Sequence, residues 1–393
     1  MIAFARRTQA LQAYFFAELE HQIATLRSEG RDIIRLDIGS PDLPPPPPIL
    51  EALSASAQQD GHHGYTSHRG TTALRKAWAD HYQWAHLVEL DPEAEILPLL
   101  GSKEGIFHLT QVILDAGDVA LVPDPGYPTY TSAARFAGAE VVPVPLLPQA
   151  GFLPDLDRLS PEMLRRARVL WLNYPNNPTG ATADLAFLQT AVDVCRRSDV
   201  LLCHDAAYAA VTFDGYRAPS VLEIPGASEI AVEFNTLSKS HNMAGWRVGV
   251  AVGNRQVLAR LLAIKTHADS GHFRPALDAA TTALSGDQSW LADRNRIYQD
   301  RRDRIVSALR GAGFSLPAPR GSLYVWLPLP EGWGAVDFCS QLLHEALVSV
   351  TPGVVFGNCG EGYVRLSLAA PTERVAEAMD RLTEWWPSAR PAT

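Results

Sequence analysis

Thr236-Leu237-Ser238-Lys239-Ser240-His241-Asn242-Met243-Ala244-Gly245-Trp246-Arg247 is the stretch on which the reading of this chain turns. It follows Ile230-Ala231-Val232-Glu233-Phe234, an apolar run with the pattern of a buried strand. Lys239 therefore stands at the mouth of that strand, where an amine loses water. Desolvation disfavours the charged form, lowers the pKa and frees the nitrogen lone pair. Hydroxyls stand one (Ser238) and three (Thr236) residues before the lysine, and Arg247 stands eight after it. Hydroxyls with an arginine make a set that holds a dianion. A lone lysine here also reads as a surface residue in a turn, so the flanking chain decides.

Outward from this stretch, short apolar runs alternate with helical spacing between Ile96 and Gly253. The runs are 96–100, 119–122, 141–144, 169–172, 200–203, 230–234 and 248–252. Strands separated mostly by helices imply an α/β unit: a seven-stranded, mostly parallel sheet with helices on both faces. Ligands of such sheets bind beyond the carboxyl ends of the strands. The residues just after each run are therefore the candidates.

After the first run, Gly101-Ser102-Lys103-Glu104-Gly105 opens a helix, as an ordinary cap or as a phosphate site at the helix N-terminus. After the second, Asp124-Pro125-Gly126-Tyr127-Pro128 fixes Tyr127 in a turn, either simply packed or laid flat on a planar group. After the fourth, Asn173-Tyr174-Pro175-Asn176-Asn177-Pro178-Thr179-Gly180 has prolines that hold Asn177 rigidly, with an amide able to donate to a phenolate. After the fifth, His204-Asp205-Ala206-Ala207-Tyr208 ends a buried strand in a carboxylate, which needs a cation such as a protonated pyridine nitrogen. Tyr208 can reach that ring's hydroxyl. Asn177, Asp205 with Tyr208, and Lys239 with Arg247 follow three successive runs. A reactive amine beside a dianion site and a ring-nitrogen partner suggests pyridoxal 5′-phosphate.

The C-terminal part reads as a smaller α+β unit, which an N-terminal arm joins. Residues 10–27 have helical spacing, 31–38 form a short strand, and 44–48 are a proline run of polyproline II type before a helix at 49–59. The loop 61–70 carries His62, His63 and His68, but no carboxylate or cysteine cluster completes a metal site, and none is expected. Helix 72–84 follows it. Beyond long helices to about 311, residues 313–327 read as a strand pair, 335–346 as a helix, 363–368 as a strand and 371–385 as a final helix. Arg365 alternates with apolar neighbours, as a salt-bridged arginine or as an inward fork matching a carboxylate. The expected division is residues 1–45 as an arm and part of the small domain, 46–280 as the large cofactor-binding domain, and 281–393 as the small C-terminal domain.

A formal net charge of −9 and the lack of any basic run argue against nucleic acid as a partner. No stretch is apolar enough for a membrane span, and Glu18 and Glu20 interrupt the N-terminal apolar segment too early for a signal peptide. Four cysteines without metal spacing fit reduced thiols and a cytoplasmic location.

Taken together, Asn177-Pro178-Thr179-Gly180, Asp205 with Tyr208, and Ser238-Lys239 with Arg247 resemble the class I aminotransferases of PLP fold type I, over nearly the whole chain. The resemblance implies that Lys239 forms an imine with the cofactor and that Asp205 pairs with its ring nitrogen. Asn177 and Tyr208 would hold the ring hydroxyl, and Tyr127 would stack on the ring. Ser102, Lys103, Thr236, Ser238 and Arg247 would hold the phosphate. Tyr65 would reach the phosphate of a neighbouring subunit, so a homodimer with shared sites is implied. Arg365 and the Gly39 backbone would hold the substrate carboxylate. The segments Tyr14–Leu19, Ile38-Gly39 and Gly101–Ile106 look most like LL-diaminopimelate aminotransferases, which would put Tyr14 against substrate. His241 and His267 depart from that pattern. The implied reaction is ping-pong transfer of an amino group from an L-amino acid to a 2-oxo acid such as 2-oxoglutarate or pyruvate. The rivals are a carbon–sulfur β-lyase on the same fold and a non-catalytic ligand-sensing regulator, for which the segment before Gly39 reads as too short.

Overall fold

The protein is described by a computed structural model that covers residues 4–5 and 15–391. Its strands are β1 (Ile34–Arg35), β2 (Ile96–Leu99), β3 (Val119–Asp124), β4 (Glu140–Pro145), β5 (Ala167–Asn173) and β6 (Leu201–Asp205). They continue as β7 (Ala231–Thr236), β8 (Gly249–Gly253), β9 (Tyr324–Pro328), β10 (Val348–Ser349), β11 (Thr351–Pro352) and β12 (Tyr363–Ser367). A seven-stranded sheet runs in the order β2-β8-β7-β6-β5-β3-β4. Only β8 runs against its neighbours there, pairing antiparallel with both β2 and β7. The expected mostly parallel sheet is thus present.

Its central strands are apolar on both faces because both faces are covered. Along each strand alternate residues feed different cores. Leu121, Leu170, Leu172, Val250 and Val252 join one cluster with Leu74 and Trp78 of helix Thr72–His86 and Leu277 of helix Arg274–Ser285. Val122, Val169, Trp171, Cys203 and Phe234 join the other with Ile106 of helix Ser102–Ile113 and Leu261 of helix Arg255–Ala268. The strand register lines up Asn173 with Asp205, and Asp205 with Phe234, at the carboxyl ends.

A further core gathers Leu36, β9, β12, helix Ala335–Glu345, helix Thr372–Trp385 and the second half of helix Trp290–Gly311. Ala207, Tyr208, Val211 and Phe213, just after β6, pack into this same core. The loop that carries Asp205 onward is therefore gripped from both sides.

Some local expectations are corrected. Residues 313–327 hold one strand, β9, and no strand pair: Pro317 and Pro319 lack the N–H groups a ladder needs. The proline run is extended only at its start. Pro46 keeps φ −58° and ψ 151°, but Pro47 and Pro48 begin helix Pro47–Ala57, where missing N–H groups cost nothing. The 31–38 strand shrinks to β1, paired with β10. The N-terminal helix is described as Phe15–Ser28, and its expected start lies outside the described residues. Among the described residues no helix is long and apolar enough to cross a membrane.

Candidate active site

β7 ends at Thr236, whose side-chain oxygen accepts from the Ser238 N–H at 3.1 Å and caps the short helix Leu237–Ser240. That cap sets the turn that carries Lys239. The Lys239 Nζ donates to the Gly39 carbonyl at 2.5 Å. Burial pushes the amine down to about 8, and the Arg365 and Arg247 cations push the same way, while Asp205 opposes them. Behind the turn, Arg294 donates to the carbonyls of Lys239 (3.2 Å), Ser240 and Ala210 (2.5 Å). It binds the lysine turn to the segment after β6. Nothing local in the sequence marks this residue, which sits among other arginines of helix Trp290–Gly311.

Asp205 ends β6 and is 4% exposed. Its Oδ2 accepts from the Tyr130 hydroxyl at 2.6 Å and its Oδ1 from the Ala207 N–H at 3.2 Å. Burial raises its carboxyl above the usual value against those two bonds. Tyr130 itself stacks on Trp171, with centroids 4.9 Å apart and planes 13° apart. Sequence reasoning passed over Tyr130, although it lies three residues past Tyr127, on the same helical face. Tyr127 caps that helix and meets Tyr130 edge-on at 5.6 Å. Asn173 donates to the Asp205 carbonyl (2.7 Å) and accepts from the Asn177 N–H (2.8 Å), which locks the Asn177 loop to β6.

The anion-type residues also converge. Gly101 has φ +81°, and a Cβ there would lie 2.2 Å from Arg247 Nη2, so only glycine leaves room for the guanidinium. Arg247 donates to Ser238 Oγ at 3.3 Å and to the Leu100 carbonyl at 3.3 Å. Ser102 and Lys103 start helix Ser102–Ile113 beside it. Partial burial and then Arg247 hold the Lys103 amine below its ordinary value. Arg247 thus acts on both Lys103 and Lys239, and a dianion would relieve that repulsion.

Arg365 is the inward fork and not a surface residue. It is 3% exposed and donates to Asn177 Oδ1 (2.9 Å) and to the Asp37 carbonyl (2.8 Å). Its buried Nε has no partner among the described residues. An orphaned buried guanidinium N–H is costly unless a ligand takes it. Tyr208 meets Tyr324 hydroxyl to hydroxyl at 2.9 Å, and Arg365 lies 4.1 Å over the Tyr324 ring. Tyr324 is a third residue that sequence reading did not assign.

Other candidates fall elsewhere. Tyr14 lies outside the described residues. Tyr65 is 93% exposed on the chain's own surface. His241 is buried, facing Ser240 Oγ (2.8 Å) and Gln288 Oε1 (3.0 Å), and burial pushes it down to about 3. It is thus engaged inside the protein, edge-on to Trp290. His267 lies exposed on helix Arg255–Ala268.

These groups suit a phosphorylated pyridine aldehyde. Burial disfavours the charge on Asp205 despite the pull of His204 and Lys239, the Gly101 cradle leaves room for Arg247, and the amine of Lys239 is desolvated.

The family described as aminotransferase class I and II matches residues 31–382. An LL-diaminopimelate aminotransferase from Moorella thermoacetica is 47% identical over 378 residues, covering 96% of this chain and 97% of the relative. Among solved structures, substrate-bound BacF from Bacillus subtilis is 37% identical with a TM-score of 0.94, covering 98% of each chain. A single mutant of Thermus thermophilus aspartate aminotransferase is 29% identical with a TM-score of 0.91, covering 98% of this chain and 100% of that one.

Proposed function

The chain belongs to the class I and II aminotransferases, and we propose LL-diaminopimelate as its amino donor and 2-oxoglutarate as its acceptor, with pyruvate the alternative acceptor. The protein is a pyridoxal-phosphate-dependent enzyme that moves an amino group from an L-amino acid to a 2-oxo acid. The similarity to relatives of that donor class supports the substrate. The chemistry is best supported by one observation: the Lys239 amine, pushed down to about 8, faces Gly39 while Asp205 acts on it electrostatically.

When bound, the cofactor supplies an aldehyde to carry the amine and a ring that draws electrons from the reacting carbon. In our reading Ser102, Lys103, Thr236, Ser238 and Arg247 hold its phosphate, and Tyr127 lies on its ring. Asn177 and Tyr208 donate to the ring oxygen. Asp205 keeps a proton on the ring nitrogen, as its burial demands a cation. Lys239 would hold the aldehyde in the resting enzyme and, displaced by the incoming substrate amine, would serve as base at the substrate Cα–H. Arg365 clamps the α-carboxylate with its unpaired Nε–H, beside the Gly39 backbone, and so orients that C–H bond. Tyr14 touches the substrate.

We also propose the division into an arm at 1–45, a large domain at 46–280 and a small domain at 281–393. Tyr65, exposed here, reaches the phosphate of a second copy, so the working form is a homodimer. The free thiols of Cys195, Cys203, Cys339 and Cys359 support a cytoplasmic home.

Single-turnover bleaching of the visible cofactor absorbance tests the donor. LL-diaminopimelate is expected to bleach it faster than aspartate, glutamate or alanine at equal concentration. Release of pyruvate and ammonia with no acceptor present would instead favour the β-lyase.

Two further expectations arise here. Changing Arg365 to Ala should raise KM for the amino acid about 100-fold, the loss of a charged hydrogen-bonded pair, and leave the visible band in place. An unchanged KM removes Arg365 from the carboxylate. The amine also sets a pH profile. Only the neutral form attacks a carbonyl, and Lys239 is neutral above about 8. Capture of pyridoxal phosphate by apoprotein should therefore quicken about tenfold per pH unit from below and level off above that point. A rate that is flat with pH, followed by stopped-flow absorbance, would contradict a depressed amine.

A further inference from the structure

Tyr324 is 2% exposed, on β9, next to the strand that carries Arg365. A phenylalanine would fill the same space and offer Arg365 the same ring face. The added hydroxyl is costly in a dry interior unless it is used. Its partner is the Tyr208 hydroxyl at 2.9 Å, with ring planes at 71°. The same oxygen lies 2.6 Å from where a Cβ on Gly39 would sit, so Gly39 stays small around it.

Each phenol has one proton. If Tyr208 gives its proton to the cofactor's ring oxygen, the bond between the two phenols must be donated by Tyr324. We propose that Tyr324 is a positioning residue: by donating to Tyr208 it aims the Tyr208 proton at the ring oxygen and strengthens that bond. Its ring, under Arg365 at 4.1 Å, ties the oxygen end of the site to the carboxylate end. This inference rests on the reading of Tyr208 in the proposed function.

The sign of the effect follows. Negative charge on the ring oxygen holds the proton on the adjacent Lys239 nitrogen. A hydrogen bond to the oxygen drains that charge and lowers the nitrogen's proton affinity. Chains of hydrogen bonds strengthen one another, so loss of the outer donor weakens the inner one.

The test is a pH titration of the visible absorbance of four holoenzymes: wild type, Tyr208→Phe, Tyr324→Phe and the double variant. Tyr324→Phe should raise the midpoint by about half a pH unit, and Tyr208→Phe should raise it by about one unit or more. The double variant should match Tyr208→Phe, since the outer phenol has then nothing to act through. The kcat of Tyr324→Phe should fall about threefold to tenfold with KM unchanged, because the ring beneath Arg365 remains. A Tyr324→Phe midpoint equal to wild type, beside a shifted Tyr208→Phe, overturns the inference and leaves the reading of Tyr208 standing. Additive shifts in the double variant overturn it too, since Tyr324 would then act by another route. A Tyr208→Phe midpoint equal to wild type removes Tyr208 from the ring oxygen and takes the relay with it.

Discussion

Changing Lys239 to Ala is expected to abolish the visible absorbance that pyridoxal phosphate gives with the wild-type protein, and to cut turnover by about 10⁴-fold or more. The reason is that one amine does two jobs. In the proposed reading it is the nucleophile for the aldehyde and also the base for the substrate carbon. Its setting suits both, since burial beside the Arg365 and Arg247 cations brings it down to about 8, so the neutral form is within easy reach. The fold should survive the change. The capping of the turn comes from Thr236, and Arg294 holds the turn through main-chain carbonyls, neither of which needs the lysine side chain. The proposed phosphate cradle at Gly101, Ser102 and Arg247 also stays, so the variant should still bind cofactor without the covalent link. Circular dichroism separates loss of chemistry from loss of fold. A Lys239→Ala protein in which borohydride still fixes the cofactor to the chain would assign the link to another lysine.

Changing Asp205 to Asn should slow turnover on the order of 10³-fold, the scale of removing one group aimed at developing charge. The amide keeps the shape, accepting from the Ala207 N–H and donating to the Tyr130 oxygen, but it does not hold a proton on the ring nitrogen. The apoprotein should respond in the opposite direction. In the wild type, burial raises the carboxyl, so the folded chain binds more protons than the unfolded one above the usual value of 3.8. Stability then falls as pH rises through that window, by linkage. Asparagine carries no such cost, so apo Asp205→Asn should melt no lower than wild type at neutral pH, with a margin that closes as pH falls. A variant within about threefold of wild-type turnover would show that Asp205 does not tune the ring.

How much of this was legible beforehand depends on the range of each interaction. Strands β2, β3 and β5 to β8 were readable because burial on both faces leaves continuous apolar runs, and the residues just past their ends were readable from the carboxyl-end rule. Lys239, Asp205 and Asn177 come from that rule. Tyr130, Tyr324 and Arg294 do not. Tyr130 meets Asp205 across 75 positions and Tyr324 meets Tyr208 across 116, and no local period encodes such a pairing. Arg294 looks like any charged residue of a long helix until its three carbonyl partners are known. The alternation of Phe314, Leu316 and Ala318 imitated a strand because period alone ignores the prolines between them.

Borohydride reduction of the holoenzyme, followed by peptide mapping by mass spectrometry, goes straight to the bond on which the account depends. The account predicts a pyridoxyl phosphate group on Lys239 and on no other lysine. Reduction that leaves Lys239 unmodified, or that fixes the group to Lys103 or Lys265, would contradict it.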